Sequence, residues 1–196
     1  MGYKIAITGG IGSGKSTVCD IIKAHGYKVF SCDEIYKQLL CDVDYVKRLA
    51  GIFPDVVRNN CIDAKKLASI VFDDETALKK LNAIAHPMIM KRLLNDMARE
   101  QDKLVFAEVP LLFECGYEHL FDKIIVVERD IEERITSVIK RSHLTREEVS
   151  KRMQSQFAYD TNEAKTHYKK LNAIILKNKG DLAQLEREAL LIINSL

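Results

Sequence analysis

The chain has 196 residues, of which 47% are hydrophobic and 30% are charged, so it is long enough for one domain with an insertion or for two small domains. Its formal net charge of +2 is too small to indicate nucleic acid or a membrane surface as a partner. The sequence has no apolar run of transmembrane length, and its N-terminus leads directly into a predicted strand without a signal peptide. We therefore expect a cytoplasmic protein.

The cysteines support the same location. They are five in number and include no Cys-x-x-Cys pair. This pattern predicts reduced thiols, and neither a disulfide framework nor a zinc site. The residues concerned are Cys19, Cys32, Cys41, Cys61 and Cys115.

Residues 9–17, here called the phosphate loop, read Gly-Gly-Ile-Gly-Ser-Gly-Lys-Ser-Thr and fit the pattern Gly, four residues, Gly-Lys-Ser/Thr. A buried strand is predicted before the loop over Tyr3–Ile7, and a helix is predicted after it that ends near Gly26. Glycines let successive backbone N–H groups turn toward an anion, and the helix N-terminus adds its positive dipole. The alternative is a glycine-rich turn that binds nothing.

In the nucleotide-binding interpretation, Lys15 contacts the outer phosphates of ATP and the Ser16 hydroxyl contacts Mg²⁺. The loop from Gly10 onward forms the predicted ATP contact. Its residues are Gly10, Ile11, Gly12, Ser13, Gly14, Lys15, Ser16 and Thr17.

Asp33 follows a predicted second strand, Tyr27–Ser31, at the end of the sheet where ligands bind in open parallel sheets. It is a candidate catalytic acid or base, and it is equally a candidate cap for the next helix. Position alone does not choose between these two roles.

Residues 43–101 change pattern and predict a helical block that is far longer than an ordinary crossover between strands. A chain break is predicted at His86-Pro87, between two helices. We interpret the block as an inserted acceptor-binding domain. His86 is either a ligand contact or a structural residue at the helix junction.

Three further strands are predicted, over Leu104–Val109, Lys123–Val127 and Ala173–Leu176, and a closing helix begins at Asp181. Glu108, near the end of the first of these strands, either holds Mg²⁺ through water or is a solvated charge. The five strands and the helices between them predict an α/β fold with a parallel sheet.

The stretch of about residues 130–157 is basic and helical, with a predicted break at Ser142-His143-Leu144. Two helices with arginines at their tip are typical of a mobile lid over phosphates. A solvated helix face with Glu/Arg pairs explains most of the same charges.

Together, these residues and motifs make nearly the whole chain resemble the dephospho-coenzyme A kinase family. The phosphate loop alone does not separate this family from other small-molecule kinases, and the later motifs are more specific. The matching segments are Thr8–Thr17, Asp33, His86-Pro87, Pro110-Leu111-Leu112-Phe113-Glu114, Arg141, Arg152-Met153-Gln154-Ser155-Gln156 and Asn178-Lys179-Gly180.

The resemblance implies transfer of the ATP γ-phosphoryl group to the ribose 3′-hydroxyl of dephospho-CoA, which is the last step of coenzyme A biosynthesis. It implies a P-loop NTPase-type core in residues 1–42 and 102–196, an inserted acceptor domain in residues 43–101, and a lid. It also implies that ATP and Mg²⁺ are used, and that the protein is a monomer or a weak homo-oligomer.

The resemblance further assigns roles to single residues. Asp33 becomes the acceptor-side base, Arg141 a lid arginine and Asn178 a nucleotide contact. The acceptor contacts that it implies are Asp33, His86, Pro110, Leu111 and Leu112.

The chain departs from the family pattern at a few positions. Arg134 and Ser137 stand where the family often has a glutamine and an arginine, Glu108 stands where an aspartate is expected, and Asn172-Ala173 replaces a late Ala-Asp pair. These departures concern the lid and adenine contacts and leave the implied reaction unchanged.

Two other functions fit parts of the sequence. Asn178-Lys179-Gly180-Asp181 matches the Asn-Lys-x-Asp pattern of GTPases, but the chain has no Asp-x-x-Gly switch motif and only one predicted helix follows. A small-molecule kinase with another acceptor, such as a nucleoside monophosphate, has the same loop, Mg²⁺ and lid. Only the family resemblance selects dephospho-CoA.

Overall fold

The computed structural model describes residues 2–72, 74–142 and 144–196, and it divides the chain into two compact units. The first unit contains the residues up to Phe30 together with Glu100–Leu196, and the second contains Ser31–Arg99. The sequence predicted the start of the insertion at residue 43, one helix later than the division in the structure.

The strands and helices of the described residues follow in chain order. The strands are β1 (Tyr3–Thr8), β2 (Lys28–Ser31), β3 (Val57–Arg58), β4 (Cys61–Ile62), β5 (Leu104–Glu108), β6 (Lys123–Glu128) and β7 (Ile174–Lys177). The α-helices are α1 (Lys15–Ala24), α2 (Cys32–Leu39), α3 (Val43–Ala50), α4 (Ala64–Val71), α5 (Glu75–Ala98), α6 (Ile131–Ser142), α7 (Arg146–Gln154), α8 (Asn162–Lys170) and α9 (Leu182–Asn194). Short 3₁₀ helices cover Pro54–Val56 and Glu118–Leu120.

Five strands form one sheet in the order β2-β5-β1-β6-β7. β1 pairs in parallel with β5 and with β6, and β6 pairs in parallel with β7. Ile5, Ala6 and Ile7 of β1 are fully buried, as expected for a central strand covered on both faces. The predicted α/β fold with a parallel sheet is confirmed.

One buried core of the first unit lies between this sheet and two helices. Val18 and Ile22 of α1 and Leu185 and Ile193 of α9 belong to one buried cluster with the apolar residues of the strands, such as Ile5. Each side chain of this size contributes about 1.5–3 kcal/mol when it is fully buried. The packing fixes α1, and therefore fixes the point where the phosphate loop enters it.

The second unit is organised around α5, against which α2, α3 and α4 pack. Aspartates begin three of its helices, because each side chain accepts a hydrogen bond from a backbone N–H of the first turn. These N-caps are Asp42 for α3, Asp63 for α4 and Asp74 for α5.

The predicted break at His86-Pro87 is wrong, because α5 runs continuously through Pro87 for 24 residues. Proline removes one backbone hydrogen bond and disfavours the helical conformation of the residue before it. The buried residues on both sides of the proline keep the helix in place. They are Ala77, Leu81 and Ala85 before it and Met90, Leu93 and Met97 after it.

The prediction that all the cysteines are thiols is also wrong, because Cys41 and Cys61 form a disulfide. The hairpin β3–β4, which the sequence did not predict, turns at Asn59 and Asn60 with left-handed φ angles of 48° and 62°. It returns Cys61 to the end of α2, where the Ile62 N–H donates to the Leu40 carbonyl oxygen at 2.7 Å.

The basic stretch forms two helices, α6 and α7, as predicted. The predicted break between them includes His143, which lies outside the described residues. Helix α8 was not predicted. Within the described part of the chain, no helix is both long and apolar enough to span a bilayer.

Candidate active site

The phosphate loop connects β1 to α1. Gly14 is the N-cap of α1 and has a left-handed φ of 97°, a conformation that side chains disfavour. A Cβ at Gly14 would also collide with the side-chain amide of Asn178. The first turn of α1 carries no acidic residue, so its N-terminal N–H groups and dipole favour an anion.

The side chain of Lys15 lies along the phosphate loop. Its Nζ donates to the Gly9 carbonyl oxygen at 2.7 Å and to the Gly10 carbonyl oxygen at 3.1 Å. Two backbone carbonyls thus direct this ammonium group over the loop, the position that charge neutralisation of a bound phosphate requires.

Ser16 and Glu108, the two predicted Mg²⁺ contacts, meet in the structure. The Ser16 hydroxyl donates to Glu108 Oε1 at 3.2 Å, because β5 is the neighbour of β1 and Glu108 pairs with Ile7. A hydroxyl and a carboxylate are the oxygen donors that Mg²⁺ prefers. Among the described residues, no cluster of three or more His, Cys, Asp or Glu side chains forms a metal site.

Asn178 holds the phosphate loop from the end of β7. Its buried side-chain amide donates from Nδ2 to the Ser13 carbonyl oxygen at 2.9 Å, and its Oδ1 accepts from the Gly180 N–H at 3.0 Å. Both ends of the amide are used by the protein.

Two further residues contact the loop, and the sequence analysis gave neither of them a role. Arg134 of α6 donates from Nε to the Ile11 carbonyl oxygen at 3.0 Å and pairs with Asp160 at 2.7 Å. Its side chain is only 5% exposed, and a Cβ at Gly10 would collide with its guanidinium group. Gln156 accepts the Ile11 N–H at 2.8 Å through its Oε1. The one sequence signal for Gln156 was its place in the Arg-x-x-x-Gln run.

The segment Pro110–Glu114 follows β5. Leu112 is fully buried, whereas Leu111 is 37% exposed and Pro110 is half-buried. Leu112 therefore packs in the interior, and of the predicted acceptor contacts in this segment Leu111 and Pro110 have exposed surface.

An aromatic cluster joins this segment to the residues after α7. Phe113 packs on Phe157 with ring centroids 4.8 Å apart, and Tyr159, His167 and Tyr168 surround the pair. Glu114 Oε1 accepts the Phe157 N–H at 2.8 Å. The motif thus fixes the start of the segment that carries Tyr159 and Asp160.

Tyr159 continues this connection to the end of β1. Its hydroxyl shares a hydrogen bond of 3.1 Å with the Thr8 hydroxyl, directly before the phosphate loop. Burial raises the pKa of Tyr159 well above its ordinary value, and the charge of Glu114 acts in the same direction. The phenol is therefore neutral at physiological pH and is a hydrogen-bonding group only.

A cavity of about 440 Å³ opens beside the loop, at the carboxyl ends of β6 and β7. Asn178, Lys177, Glu128 and Asp160 are among its lining residues. Burial raises the pKa of Glu128, and its Oε1 is buried with no hydrogen-bond partner in the described part of the chain. The volume lies within the usual range for small-molecule pockets.

Arg141, the predicted lid arginine, and Arg146 of the next helix have different surroundings. Arg141 is exposed in the last turn of α6. Arg146, the first residue of α7, pairs with Glu132 of α6, with Nη1 and Oε2 2.9 Å apart. Thr145 and Glu148 form the capping box that starts α7.

The predicted acceptor-side residues Asp33 and His86 lie in the second unit. Asp33 is exposed in the first turn of α2, and the N-cap of that helix is Ser31, so Asp33 does not have the capping role that its position left open. His86 lies in the middle of α5, half-buried, and burial lowers its pKa. Their acceptor-binding roles stay predictions.

A parallel sheet whose central strand leads through a glycine loop into a helix, with Lys15 over the loop and Ser16 beside Glu108, defines a P-loop phosphate-binding protein. The sequence model of the CoaE family, dephospho-CoA kinase, matches residues 3–184. The chain therefore belongs to the dephospho-CoA kinase family.

Individual relatives agree. A dephospho-CoA kinase of Thermus thermophilus is 36% identical over 183 residues, which cover 93% of this chain and 86% of the relative. A Thermus thermophilus crystal structure superimposes with a TM-score of 0.80 at 35% identity, over 100% of this chain and 98% of the other. The structure of a Campylobacter jejuni dephospho-CoA kinase gives a TM-score of 0.71 at 30% identity, with 100% and 97% covered.

Proposed function

We propose that this chain transfers the γ-phosphoryl group of ATP to the ribose 3′-hydroxyl of dephospho-CoA and releases CoA and ADP. The observation that carries the proposal is the family match over residues 3–184, together with a phosphate loop that has its lysine and its Ser16–Glu108 pair in place. Phosphoryl transfer depends mainly on positioning and charge neutralisation, and these groups supply both.

In this reaction, the phosphate loop from Gly10 to Thr17 encloses the β- and γ-phosphates. Its inward-pointing N–H groups hold them, while the Ile11 N–H stays bonded to Gln156, and Lys15 neutralises their charge. Ser16 and Glu108 hold Mg²⁺, directly or through water. Bound magnesium supplies further charge neutralisation on the phosphate oxygens. The donor set of one hydroxyl and one carboxylate fits this ion, which usually keeps several water ligands.

We assign the adenosine part of ATP to the cavity beside Asn178. The cavity adjoins the loop through the Asn178–Ser13 hydrogen bond, and Glu128, at the end of β6, is among its lining residues. Asn178 then acts on the nucleotide by shaping the cavity and the loop.

On the acceptor side, Asp33 accepts the proton of the 3′-hydroxyl and orients that oxygen. Arg141 stabilises the transferring phosphoryl group from the lid. His86, Pro110, Leu111 and Leu112 belong to the acceptor site, Leu112 through packing, and the helical second unit receives the pantetheine end. The protein acts in the cytoplasm as a monomer or a weak homo-oligomer.

The test is ADP release in the presence of single acceptors: dephospho-CoA, AMP, CMP, shikimate and pantothenate. We expect dephospho-CoA to stimulate release far above the other four. The Lys15→Ala variant is the control, since activity that survives in it comes from a contaminating kinase. Turnover with AMP or CMP equal to that with dephospho-CoA would identify a nucleoside monophosphate kinase instead.

A further inference from the structure

Ile11, at the tip of the phosphate loop, is held on both sides of its backbone by residues that lie far away in the sequence. Its N–H donates to Gln156 Oε1 at 2.8 Å, and its carbonyl oxygen accepts from Arg134 Nε at 3.0 Å. Gln156 follows α7 and Arg134 belongs to α6. Two successive peptide planes of the loop are thereby fixed by side chains.

Gln156 is itself held in place. The next residue, Phe157, donates its N–H to Glu114 at 2.8 Å and packs its ring on Phe113. Asp160, a few residues on, pairs with the same Arg134 that contacts Ile11. The side-chain carbonyl that accepts the Ile11 N–H therefore belongs to an anchored segment.

A phosphate loop binds its ligand only when several successive N–H groups at the start of its helix point inward together. Glycines make this conformation accessible. They also raise the entropy cost of ordering the loop, because they lose more conformational freedom than other residues. A side chain that fixes the middle of the loop lowers this cost before the nucleotide arrives.

We propose that Gln156 is a positioning residue for nucleotide binding, which accepts the Ile11 N–H and holds the phosphate loop in its binding conformation. The inference rests on the proposed function only in taking the loop as the nucleotide site. It acts through the loop backbone, so it affects the nucleotide and leaves the affinity for dephospho-CoA unchanged.

The experiment compares three variants by calorimetric titration with Mg·ADP. Gln156→Met keeps the length of the side chain and removes the acceptor, whereas Gln156→Glu keeps an acceptor oxygen. Gln154→Met is the matched control, because Gln154 is exposed at the end of α7. A salt concentration of about 0.5 M screens the charge that the glutamate adds near the phosphates.

We expect Gln156→Met to weaken ADP binding about 3- to 10-fold, the equivalent of one ordinary hydrogen bond. Gln156→Glu should bind more tightly than Gln156→Met, and Gln154→Met should match the wild-type chain. In steady-state kinetics, the KM for ATP should rise in Gln156→Met and the KM for dephospho-CoA should not. Equal ADP affinities of the Met and Glu variants at position 156, or a parallel rise of both KM values, would overturn the proposal.

Hydrogen exchange of the Ile11 amide tests the contact even if Gln156→Met does not fold. In the wild-type chain this amide should exchange at least tenfold more slowly than in an unstructured peptide, and exchange at the peptide rate refutes the contact. The proposed function fails separately. If the variants bind ADP in the expected order but the wild-type chain does not phosphorylate dephospho-CoA, the assigned acceptor is wrong. The role of Gln156 in nucleotide binding is still supported in that case.

Discussion

The side-chain amide of Asn178 donates to the carbonyl oxygen of Ser13 at 2.9 Å, across 165 positions of the sequence. The same side chain accepts the Gly180 N–H, so it fixes the loop that leads into α9 as well as the phosphate loop. A buried donor with a single carbonyl partner makes this position sensitive to small chemical changes.

Asn178→Asp should lower the free energy of unfolding by about 1–3 kcal/mol, because a second oxygen then faces the Ser13 carbonyl oxygen without a hydrogen between them. The acceptor for Gly180 is kept, and the size of the side chain is unchanged. Urea denaturation measures the change. Asn172→Asp, an exposed position before β7, is the control and should leave stability nearly unchanged. Equal stability of the two variants would contradict a role for the donor.

Glu108→Gln should raise the Mg²⁺ concentration for half-maximal activity about tenfold or more. The glutamine keeps the size of the side chain and a hydrogen-bond partner for Ser16, and it removes the negative charge that attracts the ion. A magnesium titration at fixed ATP measures the shift. Glu100→Gln, four residues before β5, is the matched control, and an equal shift in both variants would mean a general charge effect.

Asp33→Asn should fold normally, because Ser31 is the N-cap of α2 and an asparagine in the first turn removes no cap. We expect an unchanged ATP affinity and a kcat lower by about 10²-fold or more, the usual effect of losing a positioned base. Glu34→Gln in the same turn of α2 is the control and should keep its kcat. If Asp33→Asn stays fully active, the base lies elsewhere and Glu108 is the next candidate.

Arg141→Ala should lose mainly kcat, by about 10³-fold, the effect expected when an arginine contacts the transferring phosphoryl group. Arg146→Ala should lose much less, because the guanidinium of Arg146 is already paired with Glu132. Steady-state kinetics of both variants decides the matter. Losses of the same size at the two positions would mean that the positive charges of these helices act together and that Arg141 has no specific role.

Cys41→Ser should lower the free energy of unfolding by about 3 kcal/mol, because the disulfide closes a loop of 20 residues in the unfolded chain. Dithiothreitol should destabilise the wild-type chain by a similar amount and should have no effect on Cys41→Ser. Cys115→Ser is the control and should keep the response to the reductant. A wild-type chain that is insensitive to dithiothreitol would refute the disulfide.

The parts of the fold that the sequence predicted well depend on neighbouring residues. Strand β1, the phosphate loop and α1 have local signals, namely an apolar run, a glycine pattern and a helical repeat that ends near Gly26. Pro87 is the opposite case, since its local preference predicts a break. The helix continues through Pro87 because residues on both sides of it are buried when α5 packs, and the local sequence does not reveal this packing.

In the candidate site, too, residues with a local sequence signal were predicted and residues brought together by the fold were not. Lys15 and Ser16 belong to a motif and were identified from the sequence. Arg134 and Gln156 contact Ile11 only because α6 and the segment after α7 return to the loop. The pairing of Cys41 with Cys61 likewise depends on a hairpin whose strands have two residues each, too short to show an alternating pattern.

The central place of β1 in its sheet sets the order in which parts of the first unit open by thermal fluctuation. β1 is hydrogen-bonded along both edges, and Ile5, Ala6 and Ile7 are inaccessible to solvent, so its amides exchange only when the unit unfolds as a whole. The buried cluster of α6 and α7 contains three residues, Ile135, Val138 and Val149, and its opening costs far less free energy. The phosphate loop is thus attached to a strand that is buried and paired on both sides, while the helices that carry Arg141 and Arg146 pack around a smaller buried cluster and should open more readily.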